Sequence, residues 1–174
     1  MAQERKGIVT FKGNPMTLVG PGLKPGDRAP DFQALGPGLT PVNLASSRGK
    51  VRFFSVVPSL DTSVCSIQTK KFNGEVGSLP AGVQPYTVSC DLPFAQARFC
   101  GAEKIDRMTT LSDHRDVSFG TAYGVLIKEL RLLTRSIIVV DAKDRIAYVQ
   151  IVPEITSEPN YAEALAAAKK AAAQ

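Results

Sequence analysis

Residues 51–73 read "VRFFSVVPSLDTSVCSIQTKKFN", and the fold turns on how this stretch divides. Its first seven residues form a β-branched and aromatic run, the density expected of a strand buried on both faces. Pro58 closes that run. From about Ser63 the apolar positions Val64, Ile67, Phe72 and Val76 recur at roughly helical spacing, which predicts a helix with Asp61 or Thr62 as its N-cap. The stretch is therefore strand, turn and helix, with Cys65 in the first helical turn.

Toward the N-terminus the first fifty residues are rich in Gly and Pro, and "KGNP" separates the short apolar runs "IVTF" and "MTLVG". That pattern predicts a hairpin over residues 8–19, with short strands after it. Toward the C-terminus "YTVS" (86–89) reads as a second buried strand, and "PFAQARFCGAE" (93–103) as a short helix stopped near Gly101. After "MTTLS" a helix is expected around "VSFGTAYGV" (117–125). "SIIVVDAKDRIAYVQIV" (136–152) predicts a hairpin about the polar turn Ala142–Asp144. An alanine-rich helix follows over 159–173, with Pro159 in its first turn. No repeat or long linker divides the chain, so one domain over residues 1–174 is expected. The order β-α-β-α, β-hairpin, α predicts an α/β, thioredoxin-like fold: a central mixed β-sheet flanked by helices, with an extra N-terminal β-hairpin.

Composition narrows the function. A chain of 174 residues, 44% hydrophobic and 21% charged, is long enough for one sizeable core and ordinary for a soluble protein. The net charge of +5 is scattered, its longest basic runs being Lys70-Lys71 and Lys169-Lys170, with no aromatic-rich basic stripe. This predicts a solvated surface and no nucleic-acid partner. No apolar segment has the length of a signal peptide or a bilayer span, so a cytoplasmic location without membrane contact is expected. Three cysteines are too few for a disulfide scaffold, and their odd number leaves at least one unpaired. With a single histidine, His114, and no C-x-x-C, neither a metal nor a cofactor is expected. His114, in "SDHRD", reads as an exposed loop residue.

Cys65 admits three readings: a buried small hydrophobe, half of a bridge, or a nucleophile. At a helix N-terminus, free N–H groups and the positive end of the helix dipole favour the thiolate, the reactive form. With Pro58 before it and Thr62 beside it, the position favours the nucleophile. Cys90, at the end of "YTVS", fits a buried small hydrophobe.

The same residues carry a resemblance. "PSLDTSVC" is similar to the P-x-x-x-[TS]-x-x-C signature of the peroxiredoxins at Pro58, Thr62 and Cys65. "DLPFAQARFCGAE" (91–103) resembles the resolving-cysteine segment of their thiol peroxidase subfamily, and "EITSEPNYAEAL" near the C-terminus is similar as well. The likeness runs over nearly the whole chain. It implies an atypical two-cysteine peroxiredoxin that reduces hydrogen peroxide and alkyl hydroperoxides. Cys65 would be the peroxidatic nucleophile and Cys100 the resolving thiol, the two closing an intramolecular disulfide that thioredoxin reopens. Thr62 would hydrogen-bond the thiolate and peroxide, Pro58 would shield the sulfur, and Arg135 in "LTRSIIVVD" would hold the thiolate and polarise the peroxide. A homodimer is also implied. Two competitors stand against this reading. A thioredoxin-like disulfide reductase needs a second cysteine three positions away, where Thr62 and Gln68 stand. In a non-catalytic thioredoxin-fold binding module the cysteines would only pack.

Overall fold

The structure, a computed structural model, describes residues 3–174. Strands β1 (Glu4–Phe11) and β2 (Asn14–Val19) form the N-terminal hairpin, which begins four residues earlier than expected. Its ends pair Phe11 with Asn14, leaving Lys12 and Gly13 as a two-residue turn. Both have positive φ, 50° and 79°, the geometry that matches strand twist and suits glycine at the second position. Short strands β3 (Ala34–Leu35) and β4 (Pro41–Val42) follow. Then come β5 (Val51–Val56), α1 (Ser63–Glu75), β6 (Val83–Ser89), α2 (Pro93–Glu103) and β7 (Thr109–Ser112). The C-terminal half holds α3 (Ser118–Ala122), β8 (Leu126–Ile127), β9 (Leu132–Leu133), β10 (Ser136–Val140), β11 (Ile146–Ile151) and α4 (Tyr161–Ala172).

Seven strands form a mixed sheet in the order β11-β10-β5-β6-β7-β3-β4, with β5, β6 and β7 mutually parallel and the rest antiparallel. This is the thioredoxin-like arrangement that the element order predicts. Every residue of β5 is buried, as its composition requires of a central strand covered on both faces. Phe54 points into one core with Phe32, Tyr86, Phe119 and Tyr123. Its neighbour Phe53 points into the other, with Phe72, Ile137 and Val139. There α4 sets Ala164, Ala168 and Ala171 against the sheet, small side chains at helical spacing that let the backbone approach closely. No helix among the described residues is long and apolar enough to cross a membrane.

Several expectations are corrected. The α1 face toward the core is Cys65, Gln68, Thr69 and Phe72, whereas Ile67 is 41% exposed and Val64 half-buried. The helix is rolled because its polar residues have buried partners, described below. The N-terminal hairpin does not stand alone: β8 pairs with β2 and β9 with β8, giving a second, four-stranded sheet. Helix α2 runs past Gly101 to Glu103, and Lys104 ends it in the left-handed region at φ 54°. Helix α3 is only five residues long. Pro159 precedes α4 rather than lying in it, and Asn160 is the cap, its side chain accepting from the Glu163 amide.

Candidate active site

Thr62 is the N-cap of α1, which places Cys65 at the third helical position. Its hydroxyl does not cap the helix. It lies 2.7 Å from Cys65 Sγ and 3.1 Å from the Ser59 carbonyl. One hydroxyl carries one proton, so it either donates to Ser59 and accepts from a thiol, or donates to a thiolate. The contact can thus follow the charge state of the sulfur without moving.

Arg135 immediately precedes β10 and is 2% exposed. Each of its nitrogens has a separate partner. Nε donates to the Ile155 carbonyl at 2.8 Å, Nη1 to Gln68 Oε1 at 2.7 Å, and Nη2 reaches Cys65 Sγ at 3.3 Å. Gln68 in turn donates to Ser55 Oγ at 2.8 Å. Among the described residues no carboxylate lies within ion-pair distance of Arg135. A buried cation without an ionised partner is costly. Of its three hydrogen-bond partners, only the Cys65 sulfur can acquire a full negative charge.

Cys65 is fully buried, in a cluster with Val57 and Leu60 that Phe99 borders. Its partners Thr62 and Arg135 line a cavity of about 290 Å³, together with Pro58, Val64, Phe11 and Ile155, among others. The structure therefore brings Pro58, Thr62, Cys65 and Arg135 to one place. Residue-by-residue reading missed three contributors. Gln68 lies three positions after Cys65, hence on the same helix face, and that spacing was the available signal. The Ile155 carbonyl and the hairpin residue Phe11 had none, because their place depends on long-range packing.

Cys100 sits apart from this group. Half-buried on α2, it packs with the core around Ile105 and Met108 and borders a second cavity with Gln96 and Thr110. Burial pushes its thiol up, and a hydrogen bond with Thr110 partly offsets that. Phe99 lies between the two settings, packing against both clusters. All three cysteines are free thiols. Cys90 is half-buried, and burial, with Asp113 and Asp91 nearby, pushes it up to about 12. His114 is also half-buried rather than exposed, with Nδ1 3.0 Å from Ser112 Oγ.

The Redoxin family model matches residues 24–165. The chain is 56% identical over 163 residues to a thiol peroxidase of Halalkalibacterium halodurans, covering 94% of this chain and 98% of that one. It is 55% identical over 161 residues to a thiol peroxidase of Bacillus subtilis, covering 92% and 96%. A crystal structure of a peroxiredoxin-like protein from Aquifex aeolicus superposes with a TM-score of 0.88 at 44% identity, over 95% of this chain and 98% of that one. With such likeness along nearly its whole length, the chain belongs to the redoxin family, among the thiol peroxidases.

Proposed function

We propose that the protein is a thiol peroxidase that reduces hydrogen peroxide and alkyl hydroperoxides through Cys65. The observation that carries this is the convergence of a buried guanidinium and a hydroxyl, both lining one cavity, on a single buried sulfur. In the first step the Cys65 thiolate attacks one peroxide oxygen. The O–O bond breaks, and the other oxygen leaves as alcohol or water after taking a proton. Sulfur is thereby oxidised to the sulfenic acid and the peroxide is reduced. Negative charge spreads over sulfur and both oxygens in the transition state, where fixed donors have their largest effect. Arg135 and Thr62 are those donors, and Pro58 keeps bulk water from the sulfur.

In the second step the Cys100 thiol attacks the sulfenic sulfur and releases water, forming an intramolecular disulfide. A thioredoxin-type dithiol reopens it by exchange. The family likeness supports that pairing and a homodimer. The test is peroxide-dependent oxidation of NADPH coupled through thioredoxin reductase and thioredoxin. Wild type and Cys90→Ser should turn over, and Cys65→Ser should not. Full activity in the Cys65 variant would overturn the reading, and a non-catalytic binding module would support no oxidation at all.

A further inference from the structure

The segment before Cys65 and the segment leading to Cys100 are fastened to each other by one side chain. Asp91 lies in the three-residue link between β6 and α2, half-buried. Its Oδ1 accepts from Ser59 Oγ at 2.7 Å, and its Oδ2 accepts from the Leu60 amide at 2.7 Å. Ser59 and Leu60 belong to the loop between Pro58 and α1, and Leu60 packs in the cluster around Cys65. On the other side Oδ2 also accepts from Ser89 Oγ at 2.8 Å. The fully buried Gln96 amide donates to that same Ser89 hydroxyl and to the Leu111 carbonyl, each at 3.0 Å. A continuous chain of hydrogen bonds thus runs from the Cys65 loop through Asp91 and Ser89 into the first turn of α2. Beyond Gln96 the side-chain ties of α2 lie at the surface: Lys70 Nζ of α1 meets Glu103 Oε2 at 2.8 Å, an exposed pair of the kind that contributes little. Its last turn closes on the Cys100 carbonyl, which accepts from the Lys104 and Ile105 amides.

We propose that Asp91 is a positioning residue that couples the Cys65 loop to the Cys100 helix, so that the two segments open together. This rests on the proposed Cys65–Cys100 pairing. With Asp91 bound, Ser59 and Leu60 hold Thr62 and Cys65 in the geometry that peroxide needs. With Asp91 released, the loop and the α2 segment loosen as one unit and the two sulfurs can meet. Asp91 therefore sets the balance between the peroxide-reactive form and the disulfide-forming one. It acts through Cys65 and Cys100 and touches neither sulfur.

The test compares reduced wild-type chain with Asp91→Asn and Ser59→Ala. Asparagine keeps the shape and replaces one acceptor oxygen by a donor. The serine change is the milder one: it removes the bond to Asp91 Oδ1 and the longer one, 3.3 Å, that Ser59 Oγ accepts from the Asp61 amide, and leaves the Leu60–Asp91 bond in place. Native-state hydrogen exchange should accelerate about tenfold, the effect of one lost charge-assisted hydrogen bond. It should do so at the Leu60 amide and equally at the Lys104 and Ile105 amides, far away in sequence. Rapid-quench mass spectrometry after hydrogen peroxide should show slower loss of the Cys65 thiol and faster closure of the disulfide. The over-oxidised fraction at high peroxide should then fall, because the sulfenic acid is consumed sooner. A role confined to the fold of the loop would slow oxidation but leave closure at the wild-type rate. Acceleration limited to residues 59–62, or closure unchanged in both variants, overturns the proposal. If wild type forms no Cys65–Cys100 bond, the pairing itself is wrong, and the exchange data still report whether the two segments are coupled.

Discussion

Arg135 is held by three acceptors in three directions, so its charge is aimed as well as present. Arg135→Ala should therefore slow the reaction of Cys65 with peroxide by about 10²–10³, the usual cost of removing a donor that acts on developing charge. Arg135→Lys should recover little of this, since an ammonium cannot reach Ile155, Gln68 and Sγ at once. Stopped-flow oxidation of the thiol measures both, and a wild-type rate in the alanine variant would show that the fork is only structural. Thr62→Ser should keep most of the rate and Thr62→Val should lose it, because the hydroxyl is what touches sulfur. At this scale the sequence was partly legible. Cys65 at a helix start can be argued from local pattern, but the burial of Arg135 cannot. An arginine before an apolar strand looks like a surface residue, and only the family likeness singled it out. Gln68 stayed hidden because a helix face can be assigned only when the partners across it are known.

Helix α2 ends in a way that bears on the proposed second step. Lys104 holds a left-handed backbone that costs a residue with a side chain on the order of 1 kcal/mol. Lys104→Gly should remove that strain, stabilise the end of α2 and slow disulfide closure, which quenched-flow mapping would detect. An accelerated closure would mean that strain there does not promote opening. Cys100→Ser should consume one equivalent of peroxide, stall at the Cys65 sulfenic acid and then over-oxidise. Intact mass measurement reads each stage, and continued turnover would remove Cys100 from the mechanism. Long periodic elements were readable in advance: β5 by its β-branched and aromatic density, α4 by alanine spacing, and the β10–β11 hairpin by its polar turn. The strands β8 and β9 were not, because two residues carry no period. Their pairing comes entirely from the hairpin they join.

Over the whole molecule the N-terminal hairpin and the loop after β11 meet at Glu154. Its carboxylate accepts from Thr10 Oγ1, from the Lys12 and Gly13 amides, and from the amide and hydroxyl of Thr156. These bonds hold the carboxyl down at about 2, below its ordinary 4.5. A carboxylate whose folded value is depressed stabilises the fold above its unfolded value, and that contribution is lost as pH falls from about 4.5 to about 2. In wild type the hairpin tip should thus stay fastened near pH 5 and loosen toward pH 2. In Glu154→Gln the Lys12 and Gly13 amides should exchange quickly already at neutral pH. Equal protection in the two proteins would mean that the strand pairing alone holds the tip.

The cavity beside Thr62 and Arg135 draws its walls from residues 11, 58, 62, 135 and 155, so its parts leave the ribosome at widely separated times. When Cys65 has just been synthesised, neither the guanidinium that faces it nor the carbonyl that fixes that guanidinium yet exists. The first strands wait longer still, since β8 and β9, which complete their sheet, come more than a hundred residues later. On the proposed mechanism a nascent chain therefore carries Cys65 beside Thr62 but without the Arg135 guanidinium. The proposed site is thus assembled only after residue 155, with α4, which covers the sheet, still to be added.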